Sequence, residues 1–326
     1  MKVFITGEEG FIGRNLPLSF EKLGHTTVSG GLASNMKTTS KGEPCVYSNS
    51  KDQWASFFKD FDIDLVVHNA AIVGTDVVAL NQEESTLTNI AGTHNICQAA
   101  KLANIPVCYM GTSVIYDTPM YQDTPITEKS VLAPSTFYGA QKLAGEHIVK
   151  STVDRWLIMR PLFAYGGVGD MNSLIAKTFY AHTKKVISLD MFLDPNKCKD
   201  YMHVEDFCDA VALACDLNLW GEDFNVSAEE PVPTWQIIEK MSKACGQDLG
   251  YILKWYPETD YLGNHVLSSK KFRDRTGWTP KYTFNKGLLE SWRSIVTSKD
   301  AYNPLAHLEE AAKKGINLNE YFPRKV

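Results

Sequence analysis

Tyr138 and Lys142 are the two side chains whose types and spacing most directly suggest chemistry in this sequence. Four residues apart, they share one face of a helix. A phenol titrates near ~10 and an ammonium near ~10.4 when unperturbed, so neither alone is a base at neutral pH. An ammonium fixed beside the phenol favours the phenolate, and Tyr138 then becomes an acceptor for the proton of an alcohol. Such a pair also occurs on ordinary helix surfaces, so its meaning depends on what the other elements bring to it.

Those elements begin at the amino terminus. Lys2 to Thr6 is a β-prone run that opens onto Gly7-Glu-Glu-Gly10-Phe11-Ile12-Gly13, and a helix-compatible stretch runs from Arg14 to Leu23. A strand, a glycine-rich turn and a helix N-terminus together bind a dinucleotide: small residues let the backbone approach the pyrophosphate, and the helix supplies amide donors. A second strand, His25 to Ser29, ends at Gly30-Gly31. The carboxylate that usually holds the adenosine ribose is missing there, since no acidic residue lies between Glu21 and Glu43. Arg14, Lys37 and Lys41 supply positive charge instead, so NAD and NADP both remain open, with Ser29 and backbone groups as the other candidate ribose contacts.

Further along, Ile63 to His68 reads as a buried strand delivering Asn69, Ala70 and Ala71 to the ligand edge of a parallel sheet. His68 reads as a structural histidine. Glu83 to Ala103 has helical periodicity, with Asn89 and Asn95 as its notable polar positions. Ile105 to Gly111 is the next strand; it brings Thr112 to Tyr116 to the same edge, where a hydroxyl would meet the alcohol that Tyr138 deprotonates. Asp117 to Pro134 reads as a surface loop, and Arg155 to Pro161 as another strand. Beyond Asp170 the alternation of strand and helix loosens, and Thr234 opens an amphipathic helix to Ala244. The expected fold is a Rossmann doubly wound parallel sheet with a smaller C-terminal α/β lobe. Its expected divisions are 1–166 with 199–222 returning to it, a second lobe of 167–198 and 223–299, and a tail of 300–326.

At 326 residues the chain can bury two lobes, and its net charge of −5 with mixed signs gives no footprint for nucleic acid or a membrane surface. No apolar run reaches the ~18 residues that span a bilayer. The seven cysteines are scattered without a Cys-x-x-Cys pair, so neither a metal site nor a disulfide framework is expected. A first strand at Lys2 leaves no room for a signal peptide, and the expected setting is a reducing cytoplasm.

Taken together, the chain resembles the extended short-chain dehydrogenase/reductase family, the NAD-dependent epimerase/dehydratase group that acts mostly on nucleotide sugars. The resemblance covers roughly residues 2–296. It rests on Thr6-Gly-x-x-Gly10-Phe-Ile-Gly13, His68-Asn-Ala-Ala71, Thr112 with Tyr116, Tyr138-x-x-x-Lys142, Arg160-Pro161 with Tyr165-Gly166, Asp200-Tyr-Met-His-Val-x-Asp206, Phe224-Asn-Val and Gly277-Trp-x-Pro280. It implies Tyr138 as acid/base, Lys142 as holder of the nicotinamide ribose, and Thr112 as partner of the reacting hydroxyl, with Ser113 helping. Gly7, Gly10, Phe11, Ile12, Gly13 and Arg14 would cradle pyrophosphate, and Asn69, Ala70, Ala71, Asn89 and Pro161 would complete the cofactor site. It also implies a homodimer formed through the helices around Asn89 and Tyr138.

Departures from the family pattern narrow the reaction. Ser113 and Val114 stand where the dehydratases and decarboxylases carry catalytic acids, which disfavours both reactions. That leaves C4 epimerisation through a transient keto sugar, or reduction of a keto sugar or another small carbonyl by NADPH. An inactive cofactor-binding scaffold is a third reading, against which the intact Thr112, Tyr138 and Lys142 argue. Phe163 replaces the usual Asn beside the sugar, and Lys199 replaces an Arg, losing its bidentate grip on phosphate. Asn172, Ser173, Lys199 and Arg273 are therefore the candidates to meet a diphosphate.

Overall fold

The computed structural model describes residues 1–30, 50–116, 125–167, 169–170, 173–260, 262–297 and 313. Gly31, Lys37, Lys41, Asn172, the first part of the 117–134 loop and, apart from residue 313, the expected tail fall outside the described residues.

In chain order the elements are β1 (Lys2–Thr6), α1 (Leu16–Lys22), β2 (Thr26–Gly30), α2 (Lys51–Asp60), β3 (Leu65–His68), α3 (Thr75–Leu80), α4 (Gln82–Thr86) and a π-helical turn (Leu87–Gly92). There follow α5 (Thr93–Ala103), β4 (Val107–Met110), α6 (Phe137–Thr152), β5 (Trp156–Pro161), β6 (Phe163–Tyr165), α7 (Leu174–Thr183), β7 (Leu189–Met191), β8 (Cys198–Lys199) and β9 (Tyr201–His203). The remainder is α8 (Val204–Asp216), β10 (Glu222–Val226), β11 (Val232–Pro233), α9 (Thr234–Cys245), β12 (Leu253–Trp255), α10 (Lys270–Thr276) and α11 (Phe284–Thr297).

Six strands form one parallel sheet in the order β10-β5-β4-β3-β1-β2. Alternation along each strand divides its side chains between two cores. Val3 and Ile5 pack with α1, α8 and α10 through Phe20, Phe207 and Phe272. Phe4 points the other way, into Trp54, Phe57 and Phe58 of α2, with α5 and α6 completing that layer. Each of these large side chains contributes about 1.5–3 kcal/mol when fully buried. Because β1 lies between β2 and β3, the strand order reverses beside it, and the crevice lies over the carboxyl ends of these strands.

The second lobe has its own core, in which Ile175 and Phe179 of α7 meet Ile237 and Met241 of α9 and Leu288 of α11. Among the described residues three two-stranded ladders lie outside the large sheet: β6 with β9, β7 with β12 and β8 with β11. The expected lobe boundary at residue 222 does not match the sheet. Phe224 and its neighbours form β10, the edge strand of the large sheet, paired with β5. α10 covers it, with the Phe224 and Phe272 ring centroids 5.3 Å apart. A short strand late in the chain carries no local mark of the sheet it joins; its pairing with β5 and the packing of α10 over it place it there.

Two contacts lock the sheet to the helices over it. His68 joins β1 to α5, with Nδ1 2.8 Å from the Thr6 hydroxyl and Nε2 3.0 Å from the Thr93 hydroxyl. The Thr6 oxygen also accepts the Asn69 and Ala70 amides, and the Thr93 hydroxyl donates to the Asn89 carbonyl. That pattern leaves the Thr6 proton for Nδ1 and assigns the imidazole proton to Nε2. Burial, reinforced by the nearby Lys142 charge, pushes the His68 pKa down to about 3. The second lock is Gly145 of α6, which rests on Tyr109 of β4: a methyl group at Gly145 would lie 2.1 Å from the Tyr109 oxygen.

Both locks have measurable consequences. Gly145→Ala should overpack this contact and cost about 1–3 kcal/mol in urea unfolding, with part of the loss recovered when Tyr109→Phe removes the first atom met. The folded pKa of His68 lies below its unfolded value of about 6.5, so its stabilising contribution is complete above that pH and is lost as pH falls toward 3. His68→Gln should therefore flatten the pH dependence of unfolding free energy between pH 6.5 and 4 by about 1.4 kcal/mol per pH unit. An unchanged slope would mean that His68 is charged in the fold.

Candidate active site

At the first-lobe end of the crevice, backbone meets backbone. Gly7 leaves β1 with φ 72°, and a side chain there would place its Cβ 2.7 Å from the Ala70 Cα. Gly13 is tighter still, since its Cβ would fall 1.9 Å from the Gly7 carbonyl oxygen. The Asn69 amide group donates to that same carbonyl at 3.2 Å. Helical bonds begin immediately, from the Arg14 amide to the Gly10 carbonyl and from the Leu16 amide to the Ile12 carbonyl, both 3.1 Å. A turn this close, feeding a helix, is a cradle that side chains would fill, and it fits the pyrophosphate of a dinucleotide.

The crevice runs on from there with a volume of about 760 Å³. Of the residues expected from sequence, Gly7, Gly10, Phe11, Ile12, Asn69, Ala70, Ala71, Thr112, Ser113, Tyr138, Lys142, Pro161, Phe163, Ser173 and Lys199 all line it. β4 delivers Thr112, whose hydroxyl accepts the Val114 amide at 3.4 Å and caps the short turn Ser113–Ile115. Thr136 caps α6 by accepting the Gly139 amide at 3.1 Å, so the helix begins just ahead of Tyr138 and turns Lys142 inward. Lys142 is almost wholly buried, its ammonium 4.2 Å from the centre of the Tyr109 ring. Burial lowers its pKa to about 7, with the charge of Glu146 one turn further on opposing the fall.

Other expected site residues do different work. Asn89 does not line the crevice. It is buried in the π-helical turn, accepts the Ile72 amide at 2.8 Å, and donates to the Ile72 carbonyl and to Gln141, both at 2.9 Å. Gln141 in turn donates to Ser85 and Thr86, so Asn89 ties the crevice wall to α6 between Tyr138 and Lys142. Gly13 acts through the close approach already described. Arg14 donates to the Glu9 carbonyl and packs against Gly169. Ser29 is buried within β2, in register with Ile5.

The second-lobe end corrects the phosphate candidates. Arg273 lies on α10, behind the edge strand and away from the crevice, paired with Glu229. Lys199 lines the crevice, but its amine is held by the Asp260 carboxylate at 3.1 and 3.2 Å and by the Gly263 carbonyl. Burial lowers the Lys199 pKa and Asp260 opposes that. Ser173 spends its hydroxyl as the cap of α7, accepting the Ala176 amide and donating to Asp170. Sequence reasoning missed Lys177, one turn after Ser173, which lines the crevice 3.4 Å from Asp76 of α3. Its i+4 spacing from Ser173 was the available signal; Asp76, on the other lobe, gave none. Among the described residues no group of three metal-ligating side chains occurs, and no helix is long and apolar enough to cross a membrane.

Known proteins share this fold. The structure superposes on dTDP-glucose 4,6-dehydratase DesIV of Streptomyces venezuelae, solved with NAD, at a TM-score of 0.81, with 19% identity and 94% and 100% of the two chains covered. For UDP-glucose 4-epimerase of Thermotoga maritima, solved with UDP-glucose, the TM-score is 0.80, with 18% identity over 91% and 99%. In sequence, the probable low-salt glycan biosynthesis reductase Agl14 of Haloferax volcanii is 28% identical over 76% of this chain and 81% of that protein. UDP-glucose 4-epimerase of Corynebacterium glutamicum is 23% identical over 96% and 99%. Residues 3–227 match the NAD dependent epimerase/dehydratase family directly. With its parallel sheet, glycine turn and Tyr138–Lys142 helix on one crevice, the chain belongs to the NAD-dependent epimerase/dehydratase family, enzymes of the extended short-chain dehydrogenase/reductase type.

Proposed function

We propose that this crevice moves hydride at a carbinol carbon of a nucleotide sugar, C4, and that the reaction is epimerisation through a transient 4-keto sugar. The observation that carries this reading is the composition of the crevice wall. Thr112, Tyr138 and Lys142 share it with Gly7 and Ala70, whereas Ser113 and Val114 follow Thr112 where a dehydratase needs an acid. Tyr138 takes the hydroxyl proton as the C–H bond breaks, with Thr112 orienting the oxygen and the Lys142 charge favouring the phenolate. Gly7, Gly10 and Gly13 would hold a nicotinamide dinucleotide, and the chemistry it would supply there is reversible hydride acceptance. Tyr138 then returns the proton after the keto sugar has presented its other face, and no cofactor is consumed.

Of the cations in the second-lobe half, Lys177 is the one we assign to the nucleotide diphosphate: its pairing with Asp76 is longer than the two-point hold of Asp260 on Lys199. The second reading, net reduction of a 4-keto sugar by NADPH, is supported by the reductase name of the Haloferax volcanii relative. It uses the same Tyr138 proton and differs only in direction and stoichiometry. We further propose a cytoplasmic homodimer, with Leu87 and Phe137 exposed by 62% and 43% beside α5 and α6 as part of its contact.

The test is a panel of UDP-, GDP-, dTDP- and CDP-sugars incubated with NAD or NADPH and read by proton NMR and nicotinamide absorbance. Epimerisation yields a C4 epimer with no net change in absorbance, while stoichiometric loss of NADPH with a keto sugar selects the reductase. Tyr138→Phe should lower kcat by about 10²- to 10⁴-fold with dinucleotide binding retained. Full activity in that variant would remove Tyr138 from the chemistry.

A further inference from the structure

Behind the reactive face of α6 lies a buried charge that the chemistry above does not use. Glu146 is one turn beyond Lys142, which is one turn beyond Tyr138, so the three share a helix face directed at the sheet. The Glu146 carboxylate accepts two hydrogen bonds from Arg160 of β5, at 2.9 and 2.7 Å, with both side chains almost fully buried. Arg160 also donates to the Tyr116 hydroxyl at 2.8 Å and to Asp223 of β10 at 2.9 Å, and Tyr116 donates to Asn225 at 2.7 Å. Burial works against the guanidinium's charge, but Glu146, with Tyr116 and Asp223, more than offsets it and raises its pKa.

This pair touches the backbone that carries the site. A Cβ on Gly111, the residue before Thr112, would lie 2.8 Å from the Glu146 carboxylate and 2.9 Å from Arg160. Arg160 itself directly precedes Pro161, which lines the crevice. The Glu146–Arg160 bond therefore sets how far α6, with Tyr138 and Lys142, stands from the ends of β4 and β5, with Thr112. The groups that face Lys142 are Tyr138 and Glu146 from α6, Tyr109 from β4 and His68 from β3; Cys97 of α5 is seated beside Tyr109. Among these, with His68 held neutral, Glu146 supplies the full negative charge.

Resting on the reading of Lys142 as the cation behind the Tyr138 phenol, we propose that Glu146 is a positioning residue of this site. Through its two-point grip on Arg160 it seats α6 against the strand ends and places a carboxylate behind Lys142. Arg160 in turn keeps Glu146 from pairing with Lys142 directly, leaving the ammonium facing the crevice.

The experiment follows the Lys142 amine by NMR of lysine labelled with carbon-13 at Cε, in cofactor-free protein, with the resonance assigned by Lys142→Arg. In Glu146→Gln the Lys142 midpoint should fall by about one pH unit from the wild-type value. At neutral pH kcat should drop about 10-fold with KM for the sugar little changed. Glu146→Asp, which keeps the charge, should restore the midpoint and part of kcat. A midpoint unmoved by Glu146→Gln overturns the proposal, as does a Glu146→Asp variant no better than Glu146→Gln. Should Glu146→Gln not fold, Arg160→Lys keeps the cation but gives up the fork; the freed carboxylate should then raise the Lys142 midpoint, and an unmoved midpoint again overturns the proposal. The midpoint is read without substrate, so a shifted midpoint with unchanged turnover counts against the proposed reaction and not against Glu146.

Discussion

The seam between Gly7 and Ala70 is the constraint from which the rest of the site follows. There the ends of β1 and β3 approach until a single Cβ at Gly7 would overlap the facing backbone. Thr6 closes the seam by accepting the amides of both Asn69 and Ala70, so the polar backbone that the open sheet would strand is satisfied without water. The same hydroxyl reaches His68, and through it Thr93 and the π-helical turn, so the crevice floor and the helix beside it are one hydrogen-bonded unit. A loosened seam would move Asn89, and with it the wall at Ile72 and the helix that carries Tyr138.

The crevice treats its lysines differently. Lys199 is neutralised where it stands, between the Asp260 carboxylate and a backbone carbonyl, which explains how a fully buried amine is tolerated beside an apolar wall. Lys142 is equally buried but lies over the face of Tyr109, and the carboxylate behind it, Glu146, is gripped by Arg160. Burial brings its pKa down to about 7, against the opposing charge of Glu146. Lys177 stands between these cases, half committed to a carboxylate on the opposite lobe. One residue type thus serves as a lobe staple, a tuned cation and a link across the opening, and the difference lies in what each ammonium faces.

That difference is also why the sequence is legible in one place and not in another. The motifs on the sheet edge can be placed because each is local: a strand, a turn and the first residues of a helix lie within a few positions of one another. The partners of the cations are not local. Asp260 is 61 residues from Lys199, and Asp76 is 101 residues from Lys177. Arg273 suggests a phosphate ligand because it is basic and near the end of the family pattern, yet α10 faces away from the crevice once β10 has joined the sheet. Asn89 stands out in the sequence as a cofactor contact, but the fold uses it to brace the crevice wall. Its spacing in a helix cannot reveal that both of its polar ends are occupied by Ile72.

A buried ion pair such as Glu146–Arg160 is poor evidence of stability, because desolvating both charges offsets much of their attraction. Its place in this fold gives a better reason for it. An apolar pair of the same volume would pack α6 against β5, but it would fix the spacing only softly and would leave Lys142 with no negative charge behind it. The forked guanidinium fixes both the distance and the angle of the helix, and Tyr116, Asn225 and Asp223 orient the fork from the far side. Proton transfer from a bound alcohol tolerates little error between phenol and hydroxyl, and these belong to separate elements, α6 and the end of β4. The Glu146–Arg160 bond ties α6 to β5, the neighbour of β4 in the sheet, so a rigid polar bond holds that gap through the strand pairing, and Glu146 has its place at the turn of α6 from which the bond reaches Arg160.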